Sequence, residues 1–201
     1  MSEWSPSRDY STYLREAQRY QLGAKTWSGK LLRPHAPFIK ELIDQYKCQT
    51  ALDYGCGKGE QYYWVSTEDG QAIPKGATLE RYWGLKVSKY DPAVKRYQKE
   101  PIGFYDLVIC THVLRWIAPD AVDAVIDRLM HLSTKVVYIS EKLGELSKNK
   151  SKVYAEGVQE DRTRQQWVDL IRPHSKRYNR PVMLATRELI DGASIWTRDY
   201  V

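Results

Sequence analysis

A glycine-rich segment directly after a short apolar run is the first part of this sequence that could do chemistry. In "LDYGCGKGEQ", residues 52–61, Gly55, Gly57 and Gly59 stand at alternate positions, and Asp53 comes two residues before the first of them. Glycine allows a sharp turn and leaves the peptide bare, so that a ligand can lie against it. The spacing differs from GxxxxGK[ST], which binds phosphates, and from GxGxxG, which binds dinucleotides. The segment is therefore either another kind of binding turn or a turn that only reverses the chain.

Two further side chains have the chemistry of general acid–base catalysts. His112 follows the run "YDLVICT", and Glu141 follows "KVVYIS". An imidazole titrates near neutral pH, so His112 just past a strand can accept a proton from a hydroxyl, an amine or an acid. Alternatively, His112 could hydrogen-bond a ligand or cap its turn, and Glu141 could be a carboxylate at the start of a helix. Both are candidate catalytic residues.

Apolar periodicity predicts strands that alternate with helices. The predicted strands are "TALDY", "KVSKYDP", "YDLVICT" and "KVVYIS", followed by a hairpin of "PVMLATR" and "ASIWTRDYV" that turns at Asp191-Gly192. The predicted helices are "DYSTYLREAQRYQLG", "APFIKELIDQYK", "PDAVDAVIDRLMHL" and "RQQWVDLIRP". The breaker-rich stretch from Tyr62 to Leu79 predicts an irregular connection.

This alternation is typical of a doubly wound α/β domain with a mostly parallel sheet, to which the closing hairpin adds an antiparallel part. The carboxyl ends of parallel strands share one edge of the sheet, and ligands bind there. The glycine turn, Asp91 and His112 each follow a predicted strand. We therefore expect these three to open onto the same edge.

With these segments in order, the sequence resembles the class I methyltransferases, which use S-adenosyl-L-methionine. The resemblance rests on the D-x-G-x-G-x-G pattern, on "KYDPAV" and on "DLVICTHVL", and it extends from Thr50 through the closing hairpin. More narrowly, the sequence is similar to small methyltransferase-like proteins of bacteriophages and proteobacteria. The resemblance implies a Rossmann-like fold, this cofactor and methyl transfer to an acceptor that the sequence does not identify.

The resemblance also implies roles for individual residues. The glycine turn would lie against the adenosine and the methionine tail, Asp91 would accept hydrogen bonds from the ribose hydroxyls, and the loop after "YDLVICT" would wall the adenine and the methyl group. Residues 1–35 would form a helical lid over the site. The implied cofactor-binding residues are Asp53, Gly55, Cys56, Gly57, Asp91, Pro92, Cys110, Thr111 and Val113, and the implied lid or substrate residues are Tyr10, Tyr20, Trp27 and Trp116.

The sequence departs from the family pattern in two places. The stretch between Asp91 and Asp106 is too short for a helix, a third strand and the adenine-binding acid at its end. We therefore expect a third strand that is shortened or missing, with adenine held by Tyr97 or by residues around Cys110. Arg115 and Trp116 stand where the phage-type sequences carry Glu-His, so any role of that Glu toward the substrate would be changed or lost.

Two other functions remain open. The basic segment "RPHSKRYNRP", residues 172–181, could follow phosphates while Tyr178 stacks on a base, as in a nucleic-acid-modifying or -binding protein. Such a run is also typical of a solvated loop. The Asn/Asp-Pro-Pro-aromatic and Pro-Cys motifs of DNA base methylation do not occur. The missing third-strand acid would suit a pseudoenzyme that binds the cofactor without methyl transfer, and the acceptor, a small molecule or a nucleic acid, is undecided.

Length and composition favour one cytoplasmic domain. The 201 residues suit a single core, and the sequence contains neither an apolar run that could span a membrane nor a signal or transit peptide at its start. A net charge of +6 is compatible with phosphate-rich partners but is also ordinary for a soluble protein. Cys48, Cys56 and Cys110 lack the spacing of a disulfide framework or a metal site, so we expect buried, reduced thiols and no metal. The oligomeric state does not follow from the sequence.

Overall fold

The strands of the protein form one mostly parallel sheet. This computed structural model describes residues 11, 14, 30–66, 73–117, 119–143, 162–190 and 193–201. Within them the strands are β1 (Ala51–Tyr54), β2 (Val87–Tyr90), β3 (Tyr105–Thr111), β4 (Ser133–Lys142), β5 (Val182–Ile190) and β6 (Ala193–Tyr200). Their order is β2-β1-β3-β4-β5-β6, and only β6 runs antiparallel to its neighbour. The predicted fold class, a doubly wound sheet with a C-terminal antiparallel hairpin, is confirmed.

Helices cover both faces of this sheet. The α-helices in the described residues are α1 (Ala36–Tyr46), α2 (Leu79–Trp83), α3 (Pro119–Leu132) and α4 (Arg164–Tyr178), and short 3-10 helices span Lys30–His35, Glu60–Tyr62 and Leu114–Trp116. Buried side chains of α1 and α2 pack on one face, which we call the α1 face. Those of α3 and α4 pack on the opposite face, the α3 face. Apolar residues on both sides of β1, β3 and β4 explain why these strands read as nearly continuous apolar runs.

The predicted absence of a full third strand is also confirmed. Residues 91–104, all of them described, contain no strand, so β2 lies at the edge of the sheet. After β2 the chain turns back on itself, because the Asp91 N–H donates to the carbonyl of Tyr97 at 3.1 Å. Pro92 follows at once and cannot donate to a strand ladder.

Helix α2 was not predicted, and it begins at Leu79, where the stretch that was predicted to be irregular ends. Thr78 caps its start, since Oγ1 accepts the N–H of Arg81 at 3.3 Å, and Gly84 ends it at φ +74°. Leu79 and Trp83 are both buried. The capping threonine and the terminal glycine were visible in the sequence, but five residues are too few for an apolar period to stand out. Residues 63–66 and 73–78, which flank the undescribed part of this stretch, are irregular as expected.

The end predicted for helix α4 at Pro173 is wrong, because the helix continues to Tyr178. A proline inside a helix cannot make the backbone hydrogen bond to the preceding turn. The helix continues because the next two residues are anchored by their side chains. His174 Nε2 lies 2.8 Å from the Asp123 carboxylate of α3, and the Ser175 hydroxyl donates to two carbonyls C-terminal to the helix. Asn179, at φ +48°, then ends the helix.

Strands β4 and β5 are longer than predicted, whereas β6 begins at the predicted Ala193 and ends one residue early, at Tyr200. β4 gains residues at both ends, and β5 extends to Ile190, so that two residues, Asp191-Gly192, separate the hairpin strands. This separation agrees with the predicted position of the turn, although the two residues themselves lie outside the described part. None of the helices in the described residues is long and apolar enough to cross a membrane.

Candidate functional site

The strand order changes direction at β1. The chain passes from β1 to β2 on one side and then returns to place β3 on the other side of β1. In open α/β sheets the crevice for ligands forms at such a reversal, beyond the carboxyl ends of the strands. The residues that follow these strands are the glycine turn after β1, Asp91 after β2 and His112 after β3. We refer to this side of the sheet as its carboxyl edge.

The Asp91 carboxylate is bonded to the glycine turn. Its Oδ2 accepts the N–H of Gly57 at 2.9 Å, and its Oδ1 accepts the N–H of Ala93 at 2.9 Å. Gly55 and Gly57 both have left-handed backbones, at φ +86° and φ +57°. Burial raises the pKa of Asp91, and the two amide hydrogen bonds oppose this rise. The carboxylate therefore holds the glycine turn in place, a contact that the sequence did not predict.

Gly55 makes room for Val113. A Cβ at Gly55 would lie only 2.2 Å from Cγ2 of Val113, so no other residue fits there without movement of the loop after β3. The resemblance implied that bare peptide at Gly55 leaves space for a ligand. In this structure the space beside Gly55 is filled by Val113. Packing against Val113 therefore explains why position 55 is a glycine.

The other residues expected around the cofactor are mostly buried. Cys56 lies in the turn and its thiol donates to the carbonyl of Gly57 at 3.3 Å, while Pro92 is buried beside Asp91. Thr111, at the end of β3, is half-buried. Cys110 packs in the core of the α3 face. Cys48, Cys56 and Cys110 are free and buried, as predicted.

Tyr97, one of the two sites proposed for adenine, faces the glycine turn. A Cβ at Gly59 would lie 3.3 Å from the Tyr97 ring. The Tyr97 hydroxyl lies 3.0 Å from that of Tyr63, and the Arg96 guanidinium lies over both rings at 5.3 and 5.5 Å. These residues give the crevice an aromatic wall beside Asp91. Cys110, by contrast, has no exposed surface.

Asp53 is buried beneath the glycine turn. Its Oδ2 accepts the Tyr62 hydroxyl at 2.9 Å, and its Oδ1 has no hydrogen-bond partner among the described residues. Burial is the main cause that raises the pKa of Asp53 to about 7, and the nearby Asp91 adds to it. The Tyr62 hydrogen bond and Lys89 act in the opposite direction. Asp53 is thus a buried acidic residue that lies beneath the site.

His112 has a strained backbone and an uncharged ring. Its φ of +56° is uncommon for a residue with a side chain, and its N–H donates to the carbonyl of Ser140 at 2.8 Å. Burial lowers the pKa of His112 to about 4, with further lowering from Arg115, Arg187 and Lys142. The imidazole is therefore neutral at physiological pH but holds a proton weakly.

Two residues that the sequence reasoning missed surround His112. His35, at the end of the Lys30–His35 helix, is buried, and its Nδ1 lies 2.7 Å from the Tyr138 hydroxyl. The ring centroids of His35 and Trp196 lie 5.6 and 5.9 Å from that of His112. A lone histidine before "APF" and a tryptophan in a strand carry no spacing signal. They come together only in the folded protein, because β6 pairs with β5 and the Lys30–His35 helix packs on the α1 face.

Glu141 supports the loop that carries His112. It is fully buried, and its Oε1 accepts the N–H of Leu114 at 2.9 Å at the start of the Leu114–Trp116 helix. Burial raises the pKa of Glu141 to about 8, against the opposing effects of Arg115 and the amides of residues 113–115. The carboxylate caps the short helix after β3, rather than a helix that follows its own strand. Trp116, at the end of that short helix, is half-buried beneath the Arg115 guanidinium.

The basic segment 172–181 is not a solvated loop. Most of it belongs to α4, and several of its cations contact neighbouring elements. His174 and Arg177 lie against Asp123 and Asp127 of α3, and Arg180 Nε donates to the carbonyl of Ser133 at 2.9 Å. The charges of this segment thus fasten α4 to α3, which leaves less of them to follow a phosphate backbone.

The lid residues Tyr10, Tyr20 and Trp27 lie outside the described residues. Ser11 and Leu14 are helical, in agreement with the predicted first helix. At the end of the predicted lid, residues 30–35 form a 3-10 helix that buries Leu32 and His35 against the body of the protein. Among the described residues, no group of His, Cys, Asp and Glu could hold a metal ion.

Comparisons with known proteins do not identify a family. No family model matches the chain, and a search of curated proteins finds no match. A solved structure described as "PigF with SAH" aligns with 94% of this chain at 16% identity and a TM-score of 0.43. The alignment covers 59% of that protein, so this chain spans less than two thirds of its length. A similarity this low supports no argument about function.

Proposed function

We propose that this protein is a methyltransferase that uses S-adenosylmethionine. The observation that carries the proposal is the hydrogen bond between the Gly57 N–H and the Asp91 carboxylate at the strand reversal. It joins a turn with a bare backbone to a carboxylate at the place where such sheets bind ligands. A ligand with a flat base and vicinal hydroxyls suits both groups.

The described residues fit the adenosine part of this cofactor. Each oxygen of Asp91 accepts one amide, and a carboxylate oxygen has a second lone pair that can accept a ribose hydroxyl. The amides also favour the ionised carboxylate that this hydrogen bond requires. Tyr97 is suited to stack on the adenine, in place of the third-strand acid that this chain lacks. When bound, the cofactor would supply an activated methyl group on its sulfonium.

Neither of the two candidate catalytic residues is well placed to act as a general base, His112 because of its low pKa and Glu141 because of its burial. The ring of His112 titrates at about 4, and Glu141 is buried while it caps the Leu114–Trp116 helix. A general base works best when its pKa lies near the working pH. The acceptor should therefore be one that reacts once it is positioned, such as an amine, a thiolate or a carboxylate.

A cofactor-binding protein without methyl transfer is the second candidate. It is favoured by the same burial of Glu141 and the same weak basicity of His112. Release of S-adenosylhomocysteine from S-adenosylmethionine, measured with amine, thiol and carboxylate acceptors, separates the two candidates. A nucleic-acid acceptor has less support, because cations of residues 172–181 contact α3 and β4.

Calorimetric titration with S-adenosylhomocysteine tests the proposal. The wild-type protein should bind this ligand, and Gly57→Ala should bind it at least tenfold more weakly, a loss of about 1.4 kcal/mol. The reason is that a Cβ would stand on the bare peptide and shift the N–H that meets Asp91.

Gly103→Ala is the matched control. Gly103 also has a left-handed backbone, at φ +93°, but it precedes β3 at the opposite edge of the sheet, and its Cβ would meet no atom within 4 Å. The alanine should cost stability of about 1–2 kcal/mol without changing the affinity. Absence of binding by the wild type, or equal losses in the two variants, would contradict the proposal.

A further inference from the structure

A row of two cations and an aromatic ring crosses the sheet at the carboxyl edge. Lys142 of β4 pairs in register with Arg187 of β5, and Arg187 pairs with Trp196 of β6. Residues opposite each other on neighbouring strands project from the same face of the sheet. The Arg187 guanidinium lies over the Trp196 ring, 5.9 Å from its centroid. These three side chains therefore form one continuous row.

The row meets two histidines on the α1 face. Trp196 lies 4.4 Å from the ring of His35 and 5.9 Å from that of His112. A second guanidinium lies next to this row. It belongs to Arg115, in the loop after β3, and donates to the carbonyl of Lys142 at 2.8 Å. The positive charges of Arg115, Arg187 and Lys142 all act on His112 and help to lower its pKa.

Lys142 and Arg187 lie directly opposite each other on neighbouring strands, so their positive charges are close together on one face of the sheet. Glu141, the carboxylate next to Lys142 in the chain, projects to the other face, where it accepts the N–H of Leu114. Guanidinium and ammonium groups beside an aromatic wall are a suitable arrangement for a carboxylate or a phosphate.

The row and the glycine turn lie on opposite sides of His112. The turn and Asp91 follow β1 and β2, whereas the row belongs to β4, β5 and β6, and His112 follows the strand between them. A ligand that contacts both sides would therefore pass over His112. This is the arrangement needed to bring an acceptor to a cofactor that lies on the glycine turn.

We propose that Lys142, Arg187 and His112 bind an anionic group of the acceptor substrate, a carboxylate or a phosphate, and that Trp196 forms the apolar wall beside it. That the anion belongs to a methyl acceptor rests on the proposed methyltransferase function, whereas the anion site itself does not depend on that function. His112 here donates a ring N–H to the anionic group, and it need not remove a proton.

Nuclear magnetic resonance with simple anions tests this site. Signals of the His112 ring and the Trp196 indole, assigned with His112→Asn and Trp196→Phe variants, are followed at pH 6.5 while inorganic phosphate or acetate is added at constant ionic strength. Both signals should shift and saturate with at least one of the two anions. Tighter binding of phosphate or of acetate indicates which anionic group the substrate carries.

Arg187→Gln should weaken this binding at least tenfold, and Lys142→Gln provides the same test if the first variant does not fold. Arg198→Gln is the matched control, because Arg198 also lies on the hairpin but pairs with Glu41 of α1. Saturation by neither anion, or equal weakening by the control, would overturn the inference.

Titration of the same samples with S-adenosylhomocysteine separates the two proposals. Phosphate or acetate binding without binding of this ligand would remove the methyltransferase proposal and leave the anion site. Binding of this ligand without an anion response would remove the anion site alone.

Discussion

Two fully buried acids lie beneath the site, and their pKa values are raised for the same reason. Asp53 lies under the glycine turn and Glu141 under the loop that carries His112. Burial penalises the charged carboxylate, so the pKa of Asp53 rises to about 7 and that of Glu141 to about 8. Each of these acids therefore couples the stability of its turn to pH.

Asp53→Asn should flatten the dependence of stability on pH. In the unfolded chain Asp53 titrates at 3.8, so between pH 4 and pH 7 the native state binds one more proton than the unfolded state. The free energy of unfolding thus falls as the pH rises through this range, by up to about 4 kcal/mol for this one group. Asparagine cannot ionise, and its carbonyl can still accept the Tyr62 hydroxyl.

Urea unfolding at pH 5 and pH 8 measures the effect. The gain in stability of the Asn variant over the wild type should be about 3 kcal/mol larger at pH 8 than at pH 5, while Glu141 leaves a residual slope of the same sign in both proteins. Asp44→Asn, at an exposed position with an i,i+4 lysine partner, is the control and should change stability by less than about 1 kcal/mol at both pH values. An unchanged slope in the Asp53 variant would mean that this acid is ionised in the native state.

At the scale of elements, the sequence predicted what local patterns encode. The strands that carry the glycine turn and His112 were predicted because buried parallel strands read as apolar runs, and the end of the edge strand that carries Asp91 was predicted from Pro92. Their shared edge followed from the sheet type, and the structure brings them together as expected. His35 and Trp196 could not be predicted, since one precedes α1 and the other lies on β6, and only strand pairing places them beside His112. The course of α4 was mispredicted because a tertiary contact of His174 outweighs a local proline signal.

Pro173→Ala should stabilise the protein. Alanine would restore an N–H that can bond to the preceding turn of α4, and it removes a ring that disfavours an interior helical position. The gain should be about 1–3 kcal/mol in the free energy of unfolding, measured by urea titration. A loss of stability would instead mean that the proline bends the helix so that His174 reaches Asp123 and Asp127.

Pro119→Ala is the matched control for this change. Pro119 is the first residue of α3, where the missing N–H has no partner within the helix and the fixed φ suits the first turn. The control should therefore leave stability unchanged or slightly lower. A comparable gain in both variants would point to a general effect of proline on the unfolded chain rather than to the interior of α4.

At the scale of the molecule, contacts between distant parts of the chain join α1 to the last strand. Arg198 of β6 donates to Glu41 at 2.9 Å and lies over the Phe38 ring, and the Tyr200 hydroxyl donates to Gln45 at 2.9 Å. These contacts hold α1 against β6, the strand at the edge of the sheet. A ligand that stabilises the glycine turn should therefore stabilise the described body as a whole, because its elements unfold together.

S-adenosylhomocysteine should raise the melting temperature of the whole protein in one transition. A ligand that binds only the native state at about 100 times its dissociation constant adds about 2.7 kcal/mol, and each kcal/mol corresponds to about 2–4 °C for a protein of this size. The midpoint should thus rise by roughly 5–10 °C in a calorimetric scan. NAD at the same concentration is the control, since the glycine spacing lacks the dinucleotide pattern, and it should leave the midpoint unchanged. A rise in melting temperature with NAD alone would mean that the glycine turn binds a pyrophosphate instead. A rise confined to one of two separate transitions would mean that the site and the α1–β6 contacts belong to different folding units.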